Sequence, residues 1–108
     1  MAYDEKLAER MRAALAGFDR LEEKRLMGGQ CWMWNGNLLC TVGEDHCLFR
    51  VGRGAEAGAL GMPGAGIMKM GERTMHGWVR VQAAHIKGPL LKKWIAMAVK
   101  FVETLPAK

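Results

Sequence analysis

The cysteines and methionines are the residues of this sequence with the most distinctive chemistry. Cys31, Cys40 and Cys47 fall within a short stretch, and nine methionines accompany them. Cys31 and Cys40 flank the dipeptide Asn35-Gly36, which favours a two-residue type I′ hairpin turn. A hairpin that turns there is predicted to place Cys31 opposite Cys40, with their Cα atoms about 4.5 Å apart. Such a pair could form a disulfide, and Cys47 on the next strand could supply a third sulfur.

Three methionines and one histidine are further candidate ligands beside these cysteines. Met68 and Met70 project to one side of a predicted strand, and Met75 and His76 follow across the next turn. Soft sulfur ligands suit copper(I), so a soft-metal or small-ligand site is one hypothesis. Its members are Cys31, Cys40, Cys47, Met68, Met70, Met75 and His76.

The same residues have a simpler interpretation as core residues. Free cysteine behaves as a small buried hydrophobe, and methionine commonly fills irregular cores. Structural zinc uses four ligands in closely spaced cysteine pairs, and this sequence lacks that spacing. We therefore favour buried thiols and core methionines over a redox pair or a metal site, and we assign no metal.

Catalytic residues are not recognisable in the sequence. A catalytic nucleophile needs a base placed beside it. His46 and Cys47 are neighbours on a predicted strand and therefore point to opposite faces of the sheet. The glycine-rich stretches fit neither the dinucleotide-binding fingerprint nor the P-loop. We expect a protein that is not an enzyme and that takes no cofactor.

Two amphipathic helices are predicted near the ends of the chain. Residues 4–17 carry apolar side chains at steps of three and four, with Asp4 as the N-cap and Gly17 as the end. Gly88-Pro89 favours the start of a second helix, in which apolar residues repeat at helical spacing as far as Leu105. Each helix therefore has an apolar side that can cover a sheet.

The middle of the chain predicts strands and one short helix. The Asn35-Gly36 turn and a second reversal at residues 43–45 predict a three-stranded meander. Residues 55–60 favour a short helix, and residues 67–70 and 75–81 favour two more strands. The predicted fold is a two-layer α+β domain in the order α-β-β-β-α-β-β-α. Its antiparallel sheet of about five strands is covered by the N- and C-terminal helices.

Alternation along the meander separates a core face from an outer face. In the predicted register the core face receives the three cysteines together with apolar residues such as Met27 and Leu38. The outer face receives a set of large side chains, namely Trp32, Trp34, Leu39 and Leu48. Because aromatic residues are enriched at interfaces, these four are the predicted binding surface for a protein partner or a second copy of the chain.

Length, charge and hydropathy limit the possible classes of protein. A chain of 108 residues suits one domain spanning residues 1–108. The net charge is +5, and the basic residues that cause it are scattered along the sequence. Proteins that bind nucleic acids usually cluster their basic residues, so a nucleic acid is expected only as a weak or indirect partner. No export signal and no run of roughly 18 apolar residues is present, so no membrane association is expected. The odd number of cysteines then predicts a cytoplasmic protein with reduced thiols.

Five short motifs, in a fixed order along the chain, carry a family resemblance. They are Lys24-Arg25-Leu26-Met27-Gly28-Gly29, Asn35-Gly36-Asn37, Phe49-Arg50-Val51-Gly52, Met75-His76-Gly77-Trp78-Val79 and the closing Leu105-Pro106. Together with the opening MAYDEKLAER, these motifs resemble the N-terminal domain of the TfoX (Sxy) competence-regulator family.

The resemblance implies a regulatory function. Two-domain members of that family are bacterial transcriptional coactivators that work with the cyclic-AMP receptor protein at competence promoters. The sequence lacks their second, helical domain, so we expect a single-domain member, and the resemblance supplies no catalytic or ligand-binding residue. We predict a non-catalytic regulatory module that acts through protein–protein contact. The alternatives are a small-molecule or soft-metal binding protein and a weak nucleic-acid-binding accessory protein.

Overall fold

A computed structural model describes residues 3–26 and 28–107. The helices are α1 (Glu5–Leu15), α2 (Arg53–Leu60) and α3 (Gly88–Val102). The strands are β1 (Leu21–Leu26), β2 (Gly29–Trp34), β3 (Asn37–Val42), β4 (His46–Arg50), β5 (Ala65–Met70) and β6 (Arg73–Gln82). The prediction that Met27 faces the core lies outside the described residues.

One antiparallel sheet contains these strands in the spatial order β1-β2-β3-β4-β6-β5. The predicted α+β class is confirmed, but the described residues form six strands, where about five were expected. The additional strand is β1, whose central residues 22–25 are all charged and show no apolar alternation. An edge strand can carry such a run because charged side chains there discourage pairing with other chains.

The two long helices lie within a few residues of their predicted bounds. The Asp4 carboxylate caps α1 by accepting hydrogen bonds from the backbone N–H groups of Lys6 and Leu7, at 2.8 and 3.2 Å. Pro89 lies in the first turn of α3. All three helices contribute to one core cluster on one side of the sheet. None of the helices formed by the described residues has the length and apolar character that a membrane crossing requires.

Phe49 and Trp94 form the centre of this core. Their rings stack with centroids 5.5 Å apart and an interplanar angle of 17°, and both side chains are fully buried. Phe49 belongs to β4, in the middle of the sheet, and Trp94 belongs to α3. Their contact therefore fixes the last helix against the centre of the sheet. Val79 and Val81 of the neighbouring strand β6 extend the same buried surface.

The first hairpin turns at the predicted dipeptide. Asn35 and Gly36 have φ angles of 49° and 81°, as a type I′ turn requires. Trp34 pairs with Asn37 across the turn, which confirms the predicted start of the register. The next hairpin also has the predicted register, since β3 and β4 pair at Val42 with Cys47 and at Cys40 with Phe49.

Farther from the Asn35-Gly36 turn, the register between β2 and β3 shifts by one residue. The shift arises because β3 contains one extra residue, Leu39, which has no partner in β2. Trp32 consequently pairs with Cys40, and Cys31 pairs with Thr41. The predicted pairing of Cys31 with Cys40, and of Trp32 with Leu39, is therefore wrong.

Because of this register shift, each β2 side chain lies on the face of the sheet opposite to the one predicted. Trp32 faces the helices and is 3% exposed, and Leu39 is fully buried with it. Trp34 is partly buried against the same core, in edge-on contact with Phe18 at a centroid distance of 6.0 Å. The prediction that these large side chains form an outer surface is wrong. Cys31 instead lies on the face opposite the helices.

We expect Trp32→Ala to lower the free energy of unfolding by about 3–5 kcal/mol, because it removes a large side chain and leaves a cavity in the core. Trp78 lies on the open face and is only partly buried. Trp78→Ala is therefore the matched control and should lower the free energy of unfolding by less than half as much. Urea denaturation followed by circular dichroism measures both losses. If Trp78→Ala lowered the free energy of unfolding more than Trp32→Ala does, the result would contradict the observed register.

Candidate functional site

The face of the sheet that the helices leave uncovered forms an apolar groove, which is the candidate functional site. Its volume is about 480 Å³, and its walls include residues of both edge strands, with Leu26 from β1 and Met68 and Met70 from β5. Neighbouring strands lie about 4.8 Å apart, so the edges of a flat six-stranded sheet would be about 24 Å apart. A single cavity of this size that reaches both edges requires a sheet that curls around it.

The groove has an apolar floor, exposed apolar rims and one polar end. The floor contains Cys31, Leu38, Leu48, Met75 and Trp78, and Met68 of the edge strand β5 lies beside it. The rims are Leu26, which is 44% exposed, and Met70, which is 49% exposed. The turn between β3 and β4 and the first residue of β4 supply the polar end, with Glu44, Asp45 and His46.

Local irregularities in the strands account for the curl. The extra residue Leu39 interrupts the pairing of β2 with β3. The register between β5 and β6 also shifts, between Ile67 and Lys69. Gly77 lies in the facing part of β6 with φ at 89°, a value that strongly favours glycine. Because bulges bend a strand and increase its twist, these irregularities turn the two edges of the sheet toward each other.

Glu56 of α2 stabilises the irregular part of β6. Its carboxylate accepts a hydrogen bond from the backbone N–H of Gly77 and lies 3.4 Å from Nδ1 of His76. These contacts, the backbone hydrogen bond above all, lower the pKa of Glu56. His76 therefore contacts α2 and is not part of the groove lining, so the structure separates it from the sulfur residues with which the sequence grouped it.

The sheet separates the three cysteines from one another. Cys31 lines the groove, whereas Cys40 and Cys47 lie in the core beneath the helices. All three are buried free thiols, as the sequence predicted. Burial raises the pKa of each thiol, and it raises that of Cys47 to about 12. The prediction that all three sulfurs share one face is wrong, because the register shift moves Cys31 to the other side.

Four sulfur side chains remain together in the groove. They are Cys31 of β2, Met68 and Met70 of β5, and Met75 of β6. Within residues 3–26 and 28–107, no group of three or more histidine, cysteine and acidic residues could hold a metal ion. A metal ion in the groove would instead meet thiol and thioether sulfur, which are ligands that suit soft ions such as copper(I).

The polar end of the groove contains a small charge network. Oδ1 of Asp45 lies 2.9 Å from Nδ1 of His46 and 3.5 Å from the guanidinium of Arg80. These contacts, with the His46 hydrogen bond as the main cause, lower the pKa of Asp45. The end of the groove therefore carries a carboxylate that stays ionised at neutral pH.

Two of the scattered basic side chains are engaged within the fold. The guanidinium of Arg50 lies over the rings of Trp78 and Phe101, at 5.8 Å from each centroid. Arg80 contacts Asp45, as described above. Binding of these two arginines to nucleic-acid phosphates would require breaking contacts that already exist in the protein.

The groove includes residues whose place in a site the sequence pattern did not indicate. Trp78 alternates along β6 with the core residue Val79, so the period of two could have placed it on the open face. Leu38 was predicted on the core face, because the extra residue Leu39 leaves no signal in the sequence. Of the four residues in the predicted binding surface, Leu48 is the one that lies on the open face.

Comparison with known protein families finds that the model of the TfoX N-terminal domain matches residues 13–102 of the 108 residues. Comparisons with the curated proteins and with the solved structures found no match. The matched range begins within α1 and ends at the last residue of α3, so it includes every strand of the sheet and the walls of the groove.

We expect Cys31 to be the first of the three thiols to react with iodoacetamide in the native protein, because it faces the groove and the other two lie in the core. The thiolate is the reactive form. Burial raises the pKa of Cys31 above its ordinary value of 9.0, so its reaction rate should still be rising as the pH passes that value. Timed labelling followed by peptide mass spectrometry measures the rate at each cysteine.

Two serine variants provide the control for this labelling. Cys31→Ser should remove the early label, whereas Cys40→Ser should leave it unchanged. Early labelling of Cys40 or Cys47 in the folded protein would contradict the placement of Cys31 alone in the groove.

Proposed function

This chain belongs to the TfoX N-terminal domain family, and from that premise we propose that it is a non-catalytic bacterial regulatory module that acts by binding another protein. The observation that carries the proposal is the apolar groove on the open face of the sheet. A contiguous apolar surface with exposed rims usually marks a site where a partner or ligand binds.

The backbone of the groove floor limits what kind of segment can bind there. Strands β2, β3, β4 and β6 each have a neighbouring strand on both sides, so the floor offers no free edge to an additional strand. A bound segment must then satisfy its own backbone hydrogen bonds, as an α-helix does. We infer that the partner presents an amphipathic helix whose apolar side chains enter the groove.

The methionines of the groove suit this kind of binding. Met68, Met70 and Met75 are unbranched and flexible, so they can adapt their shape to the side chains of a partner. The rim residues Leu26 and Met70 are roughly half exposed. Covering each of them would contribute about 1 kcal/mol to binding.

The thiols support the non-catalytic part of the proposal. An activated cysteine nucleophile needs a lowered pKa or an adjacent base, whereas burial raises the pKa of all three cysteines. Free thiols also fit a protein that works in the bacterial cytoplasm, where thiols stay reduced.

We expect an amphipathic helical peptide with a leucine stripe to bind the groove and to shift the amide NMR signals of Leu38, Leu48 and Trp78. Leu48→Glu, which places a charge on the apolar floor, should weaken binding at least tenfold, or about 1.4 kcal/mol. Ala96→Glu, on the exposed side of α3, is the matched control and should bind as the unmodified protein does. Calorimetric titration gives the affinities. Equal affinity for the Leu48→Glu variant, or signal shifts confined to the helices, would count against the proposal.

A small apolar molecule or a soft metal ion is the second candidate for the groove. Its volume of about 480 Å³ lies within the range of small-molecule pockets, and four sulfur side chains line it. Titration with decanoate, and with copper(I) against a competing chelator, separates this candidate from the first. If the groove serves a protein partner, we expect decanoate to bind more weakly than the peptide and copper(I) no more tightly than micromolar. Copper(I) binding with femtomolar affinity that is lost in the Cys31→Ser variant would establish the metal-binding function instead.

A further inference from the structure

The two edges of the sheet differ in how well they are protected against pairing with another strand. On the β1 edge, residues 22–25 are charged and exposed. The β5 edge has the sequence Ala-Gly-Ile-Met-Lys-Met, with Lys69 as its single charge. Charged side chains are the usual means by which an edge strand resists the addition of a further strand. The β5 edge largely lacks this protection.

The β5 edge also exposes apolar side chains on both faces of the sheet. Ile67 is 48% exposed and pairs with the core residue Val79, so it points to the helix-covered side. Met70 is 49% exposed and points into the groove on the opposite side. A partner seated on one face could cover only one of them. A strand added at the edge would cover both, because its side chains alternate between the two faces.

We propose that β5 pairs antiparallel with β5 of a second copy of this chain, around a two-fold axis that passes beside Ile67. An axis perpendicular to the sheet keeps the helix-covered faces of the two copies on the same side. The result is one continuous twelve-stranded sheet. This interface lies outside the groove floor, so the proposal goes beyond the proposed function.

The sequence of β5 is complementary to itself in this register. Ile67 of one copy lies beside Ile67 of the other, which covers both exposed side chains. On either side of the axis, Met68 lies opposite Gly66 and Lys69 lies opposite Ala65, so each long side chain meets a small one. A register displaced toward the C-terminus would bring the two Lys69 ammonium groups together, and like charges directly opposite each other are destabilising.

The size of this interface predicts a weak dimer. A single pair of short strands buries less than the roughly 1,000 Å² of a stable interface, so we expect a dissociation constant on the order of 100 μM. Sedimentation velocity at concentrations below and above that value should show a reversible monomer–dimer equilibrium. Ile67→Glu should weaken dimerisation at least tenfold. Leu26→Glu, at the exposed apolar position of the opposite edge, should leave the equilibrium unchanged.

Cysteine crosslinking tests the register independently of any loss of stability. Under mild oxidation Ile67→Cys should form a disulfide between copies, because paired Cα atoms in an antiparallel ladder lie within disulfide range. Lys69→Cys should crosslink much more slowly, since its counterpart is Ala65. A protein that stays monomeric throughout the concentration range, or that dimerises equally well with Ile67→Glu, would overturn the proposal. Faster crosslinking at position 69 than at position 67 would overturn its register.

Discussion

The extra residue Leu39 in β3 is the constraint on which both faces of the sheet depend. Side chains along a strand point alternately to the two faces of the sheet. One inserted residue therefore moves every side chain paired beyond it to the opposite face. The indole of Trp32 thereby joins the core that Phe49 and Trp94 form beneath the helices. Cys31 takes the opposite face. Without the insertion, a small thiol would occupy the core position and a large indole would lie in the open.

The helices cover only one face of the sheet, and the curl of the strands partly shields the open face from water. Open faces of antiparallel sheets are usually polar. Here Leu38, Leu48 and Trp78 occupy the open face, yet each is partly buried, because the sheet bends around them. The rim residues Leu26 and Met70 remain the exposed part of this surface. The same curvature therefore protects the apolar floor from water and creates the groove.

The groove and the β5 edge offer different parts of the polypeptide for binding. The floor strands have neighbours on both sides, so they present side chains, whereas the edge of β5 presents unpaired backbone groups. The two surfaces meet at Met70, which belongs to the groove rim and which a strand added at the β5 edge would also cover. In a two-fold dimer joined at β5, both grooves would open on the same side of the extended sheet.

Local patterns in the sequence determined the helices, the Asp4 cap, the Asn35-Gly36 turn and the α+β class, and short motifs indicated the family. These features depend on residues that are close in the chain, so their spacing reveals them. The tertiary structure alone decided the register beyond the turn, the strand β1 and the groove. An insertion such as Leu39 is favoured because it buries an indole in the core beneath the helices, where residues far apart in sequence pack together. The groove in turn depends on curvature summed over six strands, which no single strand encodes.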